Sequence, residues 1–413
     1  MSVAISRKLA VMLGSLCVVA TPILVGCATG GGGGGTAGGS ENDNGTVANE
    51  NAAVDNENGA ATNENVAVDN ENGAATNENA SGDGGGIVQD QPGLMYVLQP
   101  GDMSAEELGE TGFAWMILEP SRTGDAAGEF TAADIEAIRT GGPCPKTILA
   151  YLSVGEAEDY RDYFDPEWVD GDEGPPISGV APEWLGPTNP DWLGNYKVRY
   201  WMAEWQSLML GTADGPNKTP LDRIIDAGFD GVYLDIIDAY YFWSEAEGGF
   251  ELSRAEARRR MIEWVQTISA YARETRGVEG FMVFPQNAAD IIRDDDDELD
   301  GLSDDYFDAI DGIGIEDLYY DETNRQPAGD TEYRLEQLVE YRDRGKTVLV
   351  TDYLLSTSYT PANSDQRVAD FYERALGAGF VPYAATEDRE LNVIVTLPSS
   401  AGWSVDQPAD RCE

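Results

Sequence analysis

Asp235 and Asp238 stand in the apolar part of the stretch at residues 228–243, GFDGVYLDIIDAYYFW. Its aliphatic residues predict a buried strand over residues 231–237, but Asp235 lies inside that strand and Asp238 follows it. An ionised carboxylate in apolar surroundings is costly unless a partner compensates its charge. Asp235 therefore caps the following turn, pairs with an arginine, or takes part in chemistry.

Other predicted strands end in polar side chains of the same kinds. These strand-end residues are Gln99, Glu119, Tyr151, Glu156, Gln286, Asn287, Glu316, Asp317, Asp352, Tyr353 and Tyr383. If the strands are parallel and form a barrel, their carboxyl ends meet at one rim, so these side chains form a ring with Asp235 and Asp238. Carboxylates, amides and tyrosines suit carbohydrate hydroxyl groups, and two carboxyl groups are the minimal equipment for hydrolysis of a glycosidic bond.

Short apolar runs alternate with amphipathic segments from residue 94 onward. The runs predicted as strands cover residues 94–99, 113–118, 147–154, 231–237, 281–285, 309–315, 347–353 and 379–384. The helix-start signals are Thr131, Thr219 with Pro220, Ser253 with Glu256 as a capping box, and Ser364. Eight strand–helix units predict an α/β fold, a (β/α)8 TIM barrel. A doubly wound open sheet is disfavoured because no glycine-rich phosphate-binding turn follows the first strand.

A long segment after the third predicted strand, residues 156–205, is rich in proline, glycine, aspartate and aromatic residues. Its tryptophans are Trp168, Trp184, Trp192, Trp201 and Trp205. A connection of this length in a compact barrel indicates a functional loop. The tryptophans either stack on sugar rings or form a small core beneath the loop.

The first 26 residues have the pattern of a bacterial lipoprotein signal. Arg7 and Lys8 precede an apolar run, and the tetrapeptide LVGC, which resembles a lipobox, ends at Cys27. We expect cleavage before Cys27, lipid attachment to Cys27, and an extracytoplasmic protein anchored to the bacterial cell envelope. An ordinary secretory signal or an uncleaved anchor is the alternative, and either would also leave the rest outside the cytoplasm.

Residues 27–90 begin with Cys27 and continue as a tract of glycine, asparagine, glutamate, aspartate, alanine and threonine. The sequence AVDNENGAATNEN occurs twice within it, at residues 53–65 and 67–79. A segment with so little apolar surface cannot offset its ordering entropy, so it is predicted to be a disordered tether. Residues 91–413 remain as the folded domain. Its two cysteines, Cys144 and Cys412, form a disulfide in an oxidising compartment or remain free thiols.

The composition excludes several classes of partner and of site. With 75 acidic and 26 basic residues, the formal net charge is −49. Binding to nucleic acid through a basic patch is therefore excluded, and we expect contact with a membrane only through the lipid anchor. The chain contains no histidine, so acid–base chemistry falls to carboxylates or tyrosines. The acidity fits either a high-salt habitat or ordinary bacterial acidity with an acidic linker.

Six motifs, in order along the chain, resemble glycoside hydrolase family 114. They are YLSVGEAEDYRDYF, NPDWLGNYKVRYW, GFDGVYLDIIDAYYFW, FPQNA, IDGIGIEDLYY and GFVPYAA. That family groups endo-α-1,4-polygalactosaminidases with related extracellular barrel proteins, and the resemblance runs from Leu94 to Leu391. It implies hydrolysis of an α-1,4-linked galactosamine polymer by two acids, without a cofactor or a metal.

The resemblance assigns Asp235 as nucleophile and Glu316 as general acid/base in a retaining scheme, with the reverse assignment and an inverting scheme left open. The residues expected to bind substrate are Tyr151, Glu156, Asp238, Gln286, Asn287, Asp317, Asp352, Tyr353 and Tyr383. Glu119 stands where the pattern has aspartate, and residues 293–308 add an acidic rim segment that is either a solvated loop or a cation site. The alternatives are a carbohydrate-binding barrel without catalysis and a hydrolase of a different exopolysaccharide. The oligomeric state is left open.

Overall fold

The computed structural model of the protein describes residues 93–211, 218–356 and 366–395. The predicted signal, the tether, Ser364 and Cys412 lie outside the described residues. In the described part of the chain, no helix has both the length and the apolar character needed to span a bilayer.

The strands agree closely with the sequence prediction. They are β1 Leu94–Val97, β2 Trp115–Leu118, β3 Thr147–Ser153, β4 Glu156–Glu158, β5 Leu185–Thr188, β6 Asn195–Val198, β7 Gly231–Asp235, β8 Met282–Pro285, β9 Gly312–Glu316, β10 Tyr320–Asp321, β11 Asn324–Arg325, β12 Thr347–Leu355 and β13 Val381–Thr386. The predicted barrel strands correspond to β1, β2, β3, β7, β8, β9, β12 and β13, with ends that differ by no more than three residues.

These barrel strands follow one another in chain order. Strands β1, β2, β3, β7 and β8 form one parallel sheet, and β9, β12 and β13 form another. The sheets meet where Gln286 pairs with Gly314 and where the Asp311 N–H donates to the Val283 carbonyl across 3.0 Å. Strands β1 and β13 are also in contact. The result is a TIM-barrel-like ring, and the prediction of an α/β fold with a parallel sheet is confirmed.

The helices lie between these strands. They are α1 Ala105–Gly109, α2 Ala132–Thr140, α3 Ala203–Leu210, α4 Pro220–Ala227, α5 Ala239–Ser244, α6 Arg254–Ala270, α7 Gly301–Ala309, α8 Ala328–Asp343 and α9 Gln366–Gly377. Thr131 and Thr219 cap α2 and α4 as predicted, each in a capping box. Ser253 caps α6, but the Glu256 carboxylate binds Arg259 and Arg260 of its own helix instead of completing the predicted box.

The barrel interior is built from aromatic rings that require glycine on β9. The rings of Tyr96 and Tyr233 meet edge to face with centroids 5.4 Å apart. A Cβ at Gly314 would lie 1.9 Å from the Tyr233 hydroxyl, and one at Gly312 would lie 2.0 Å from the Phe284 ring. Only glycine therefore admits these large rings from the neighbouring strands.

The long segment after β3 folds as a small antiparallel sheet, β4–β6–β5. Its tryptophans pack on one another, because Trp184 lies with its ring centroid 5.4 Å from that of Trp168 and 5.0 Å from that of Trp205. Trp184 and Trp205 are buried. For these tryptophans the structure shows the core beneath the loop rather than a sugar-stacking surface.

The acidic segment 293–308 is organised by its own backbone. Asp294 accepts hydrogen bonds from the N–H groups of Asp296 and Glu298, both across 2.9 Å. Asp300 caps α7 and binds Arg258, which lowers the pKa of Asp300. These contacts fit a loop and a helix cap, and no group of three metal-ligating side chains occurs among the described residues.

Candidate active site

Asp235 is the last residue of β7 and is only 6% exposed. Its Oδ2 accepts a hydrogen bond from the Tyr151 hydroxyl at 2.6 Å, and its Oδ1 accepts one from the Ile236 N–H at 2.8 Å. Ile236 has a left-handed φ of 61°, which is unfavourable for a β-branched residue and turns the chain sharply at the strand end. Burial raises the pKa of Asp235 well above its usual value, and the charge of Glu316 adds to this.

Glu316 is the last residue of β9 and is 3% exposed. One carboxylate oxygen accepts hydrogen bonds from the side-chain amides of Gln286 and Asn287, the latter at 3.1 Å, and the other accepts from the Tyr353 hydroxyl. Asn287 also accepts the Glu316 backbone N–H at 3.1 Å. Burial raises the pKa of Glu316, while these donors and Arg389 oppose the rise.

The two carboxyl groups lie at the ends of two strands of the same ring, and both act on the same two tyrosines. Both raise the pKa of Tyr96 and of Tyr233, the tyrosines packed beneath them. Two buried carboxyl groups with raised pKa values that repel one another favour a state in which one is protonated and the other is ionised. Asp235 and Glu316 can therefore supply one acid and one base.

Four of the residues expected to bind substrate contact this pair directly. They are Tyr151, Gln286, Asn287 and Tyr353. Two more are adjacent: Asp317 follows Glu316, and Asp238 precedes α5 and repels the Asp235 carboxylate. Asp317 binds Arg389 through Oδ2 at 2.9 Å, and burial raises the pKa of Asp317 to about 8.

Three other residues expected to bind substrate have their polar atoms occupied by the protein. Glu156 is fully buried, pairs with Lys197 at 2.5 Å and accepts from Asn189 at 2.9 Å. The Asp352 oxygens accept three backbone N–H groups, from residues 318 to 320, at 2.8–2.9 Å. Tyr383 is buried and its ring packs edge-on against Phe113; burial raises the pKa of its hydroxyl, and the backbone N–H of Val395 opposes the rise.

For these three residues the contacts favour a structural role over substrate binding. A carboxylate that already satisfies backbone or ammonium donors inside the protein would lose those bonds to reach a sugar. Glu156 stabilises the sheet β4–β6–β5, Asp352 holds the loop that follows Glu316, and Tyr383 packs within the barrel. Cys144 is disulfide-bonded, and its expected partner Cys412 lies outside the described residues.

Sequence reasoning missed the cations around the site. Arg161 binds Glu119 through two N–H groups at 2.6 and 3.0 Å and binds Glu158 at 2.7 Å. Arg389 lies beside Asp317, and Lys197 pairs with Glu156. The signal that could have found them is charge balance, because a ring of buried carboxylates requires nearby cations to offset desolvation.

The comparisons with known proteins bear on the same part of the chain. The model of glycoside-hydrolase family GH114 matches residues 120–403. An uncharacterized protein of Thermotoga maritima is 35% identical over 298 residues, which cover 72% of this chain and 81% of the relative. An uncharacterized protein of Methanocaldococcus jannaschii is 34% identical over 301 residues, covering 73% of this chain and 77% of the relative.

Among solved structures, a Cellulomonas fimi endo-beta-1,4-mannanase double mutant covers 74% of this chain and 68% of its own, with 13% identity and a TM-score of 0.38, a likeness too distant to bear on function. The family match includes both strand ends that carry the buried carboxyl pair. By that match and these relatives, the chain belongs to glycoside hydrolase family 114.

Proposed function

We propose that the protein is an extracytoplasmic hydrolase, lipid-anchored to the bacterial cell envelope through Cys27, that cleaves α-1,4-linked galactosamine-type exopolysaccharide. The observation that carries the catalytic part is the buried pair Asp235 and Glu316, each fixed by its own donors at the end of a different strand. Membership of the family supports hydrolysis of a glycosidic bond. The amino-sugar substrate is what the family resemblance implies, and the anchor is what the lipobox-like sequence before Cys27 implies.

In the proposed retaining reaction, Asp235 attacks the anomeric carbon while Glu316 protonates the departing glycosidic oxygen. The carbon–oxygen bond breaks and a glycosyl ester forms on Asp235. Glu316, now ionised, then removes a proton from water, which attacks the anomeric carbon and releases Asp235. Tyr151 stabilises the departing negative charge of Asp235 through its 2.6 Å hydrogen bond.

The protonation states of Asp235 and Glu316 determine which of them can act as the nucleophile and which as the acid. The reaction needs a proton on Glu316 and a charge on Asp235. Burial raises the pKa of both groups, as a general acid requires, but the three side-chain donors at Glu316 favour its ionised form. The assignment of Asp235 as nucleophile therefore rests on the family resemblance, and trapping of the intermediate decides it.

The charge around the mouth supports a cationic sugar. Asp238 lies beside the proposed nucleophile Asp235, and the whole chain carries a formal net charge of −49. A protonated amino sugar is attracted to such a site, while an anionic polysaccharide is repelled. The preference should weaken at high ionic strength, because salt screens charges at this range.

The test is release of reducing ends from a panel of galactosamine and glucosamine polymers, each in free-amine and N-acetylated form. Hydrolysis by the wild type should be lost in Asp235→Asn and in Glu316→Gln. Asp308→Asn and Glu336→Gln make the same chemical changes at exposed positions and should retain activity. Binding of a polymer without release of reducing ends would instead identify a carbohydrate-binding protein. Release of reducing ends only from a polymer other than galactosamine would show that the proposed substrate is wrong.

Mass spectrometry of the enzyme after denaturation in the presence of an activated fluoro-sugar separates the two roles. A glycosyl adduct on the peptide that carries Asp235 supports the proposed nucleophile. An adduct on the peptide that carries Glu316 reverses the roles. The orientation of the released anomeric hydroxyl, read by NMR early in the reaction, distinguishes retention from inversion.

A further inference from the structure

The segment after the last barrel strand places Arg389 near Glu316, the proposed acid/base. Arg389 follows β13 in a stretch that is tied to the end of β1, because the N–H groups of Leu98 and Gln99 donate to the Leu391 carbonyl at 3.0 and 3.2 Å. Both Arg389 and Leu391 have left-handed φ values, 57° and 46°. Such values are unusual for large side chains and are kept where the surroundings require them.

Arg389 contacts two residues next to Glu316, namely Tyr353 and Asp317. Its guanidinium lies over the ring of Tyr353, 4.3 Å from the centroid, and the Tyr353 hydroxyl donates to Glu316. Its Nη2 lies 2.9 Å from Asp317 Oδ2 and 2.8 Å from Asp321 Oδ1. One face of the guanidinium therefore packs on a hydrogen-bond donor to the Glu316 carboxyl group, and one edge binds the residue that follows Glu316 in sequence.

A role confined to anchoring the loop fits these contacts less well. Arg334, which anchors the same loop, directs its donors to the backbone carbonyls of Glu316 and Asp317. Arg389 instead binds two carboxylates and a ring. Its Nη1 is buried and has no hydrogen-bond partner among the described residues, and the same holds for Asp317 Oδ1.

The charged and titratable groups that face Glu316 come from several elements. They are Tyr96 of β1, Asp235 and Tyr233 of β7, Tyr353 of β12, Asp317 and Arg334 after β9, and Arg389 after β13. The neighbouring carboxyl groups Asp235 and Asp317 disfavour a charge on Glu316, whereas the Tyr353 hydroxyl and Arg389 favour it and oppose the rise of the Glu316 pKa.

We propose that Arg389 is a positioning residue that holds Tyr353 and Asp317 against Glu316 and sets the proton affinity of the Glu316 carboxyl group. Only the naming of Glu316 as the acid/base rests on the proposed function. The influence of Arg389 on Glu316 follows from the contacts and is independent of the polymer that is cleaved.

The primary test is direct titration of Glu316 by NMR of protein labelled at the glutamate side-chain carboxyl carbon, with Glu316→Gln identifying the resonance. In Arg389→Gln the loss of the cation should raise the pKa of Glu316 by about one unit. Arg389→Lys retains the charge and should restore most of the wild-type value. Arg325→Gln is the matched control, since Arg325 also pairs with an aspartate and lies over a tyrosine ring, those of Asp370 and Tyr320.

Activity gives a second, separate readout on whichever polymer the wild type cleaves. If Glu316 must be protonated to react, Arg389→Gln moves the basic limb of the kcat/KM profile to higher pH. If only the acidic limb shifts, Arg389 still influences Glu316, but Glu316 is not the group that must be protonated to react. An unchanged Glu316 titration in folded Arg389→Gln would overturn the inference itself, whatever the activity, and so would an equal shift in Arg325→Gln.

Discussion

The hydroxyl of Tyr151 donates a 2.6 Å hydrogen bond to Oδ2 of Asp235, from the strand that pairs with the aspartate's own strand. The register places Ser153 opposite Asp235. Tyr151 is two residues before Ser153 and faces the same side of the sheet, so its side chain extends along the strand to contact the carboxylate. Both groups are buried. The bond therefore operates away from bulk water, where a donor to a charged acceptor has its largest effect.

Tyr151→Phe should lower kcat by about 10- to 100-fold, because it removes one hydrogen bond to a charged group worth roughly 1.5–3 kcal/mol. Loss of the donor also raises the pKa of Asp235, so the acidic limb of the kcat/KM profile should move to higher pH. Steady-state kinetics between pH 4 and 9 measure both effects.

The matched control for this change is Tyr306→Phe. Tyr306 is equally buried, but its hydroxyl has no hydrogen-bond partner among the described residues. Its removal should leave kcat and both limbs unchanged. If Tyr151→Phe behaves like Tyr306→Phe, the hydroxyl does not act on the carboxylate.

Glu156→Gln should lower the free energy of unfolding by about 3 kcal/mol, because it breaks a buried ion pair and leaves Lys197 without its 2.5 Å partner. The Michaelis constant of the folded enzyme should stay within twofold, since Glu156 stabilises the sheet β4–β6–β5. Urea unfolding and kinetics at a temperature well below unfolding provide the two measurements.

Glu263→Gln serves as the comparison for the ion pair, because it makes the same chemical change and the pair of Glu263 with Arg259 is exposed, at 49% and 36% of the side chains. Loss of an exposed pair should cost less than about 1 kcal/mol. A tenfold rise in the Michaelis constant of Glu156→Gln without loss of stability would return Glu156 to the substrate-binding residues.

The sequence was sufficient to predict the barrel strands and the capping threonines because these depend on local patterns. Apolar runs of strand length and a threonine with its acidic partner three residues on are set by neighbours in the chain. It was also sufficient to bring Asp235 and Glu316 to one rim, because both end predicted parallel strands.

The role of each polar strand-end residue could not be predicted, because the partners are distant in sequence. Asp352 binds backbone N–H groups more than thirty residues away, and Glu156 meets Lys197 only through the hairpin pairing of β4 with β6. In the sequence, a strand-end carboxylate that binds internal donors cannot be distinguished from one that binds a substrate, because both are the same residue type at the same position relative to a strand.

Asp317 should make the stability of the fold depend on pH. Burial raises the pKa of Asp317 to about 8, although Arg389 opposes the rise, whereas the unfolded chain ionises this group near pH 4. Between about pH 4 and 8 the folded state therefore binds more protons, and the free energy of unfolding falls as pH rises, by at most about 1.4 kcal/mol per unit from this group.

Asp317→Asn removes the titration. Between pH 5.5 and 7.5 the free energy of unfolding should fall less steeply than in the wild type, with a difference of roughly 2 kcal/mol over that interval. Urea unfolding at several pH values measures this, with the exposed Asp308→Asn as control. Parallel curves for Asp317→Asn and the wild type would show that Asp317 is ionised throughout in the folded state.

Gly314→Ala should destabilise the barrel by about 2–3 kcal/mol, because the new methyl group would lie 1.9 Å from the Tyr233 hydroxyl. Tyr233 is two residues before Asp235 on β7 and packs on Tyr96, so its displacement should also lower kcat. Thermal unfolding and kinetics record both losses.

Gly329→Ala is the control, because Gly329 lies in α8 with open space where the methyl group would be placed. It should leave stability unchanged or raise it by up to about 1 kcal/mol. Tyr233→Phe added to Gly314→Ala should restore little, because two ring carbons of Tyr233 also lie only 2.3 Å from the new methyl position. Full recovery in the double variant would mean that the hydroxyl alone, and not the ring, requires glycine at this position of β9.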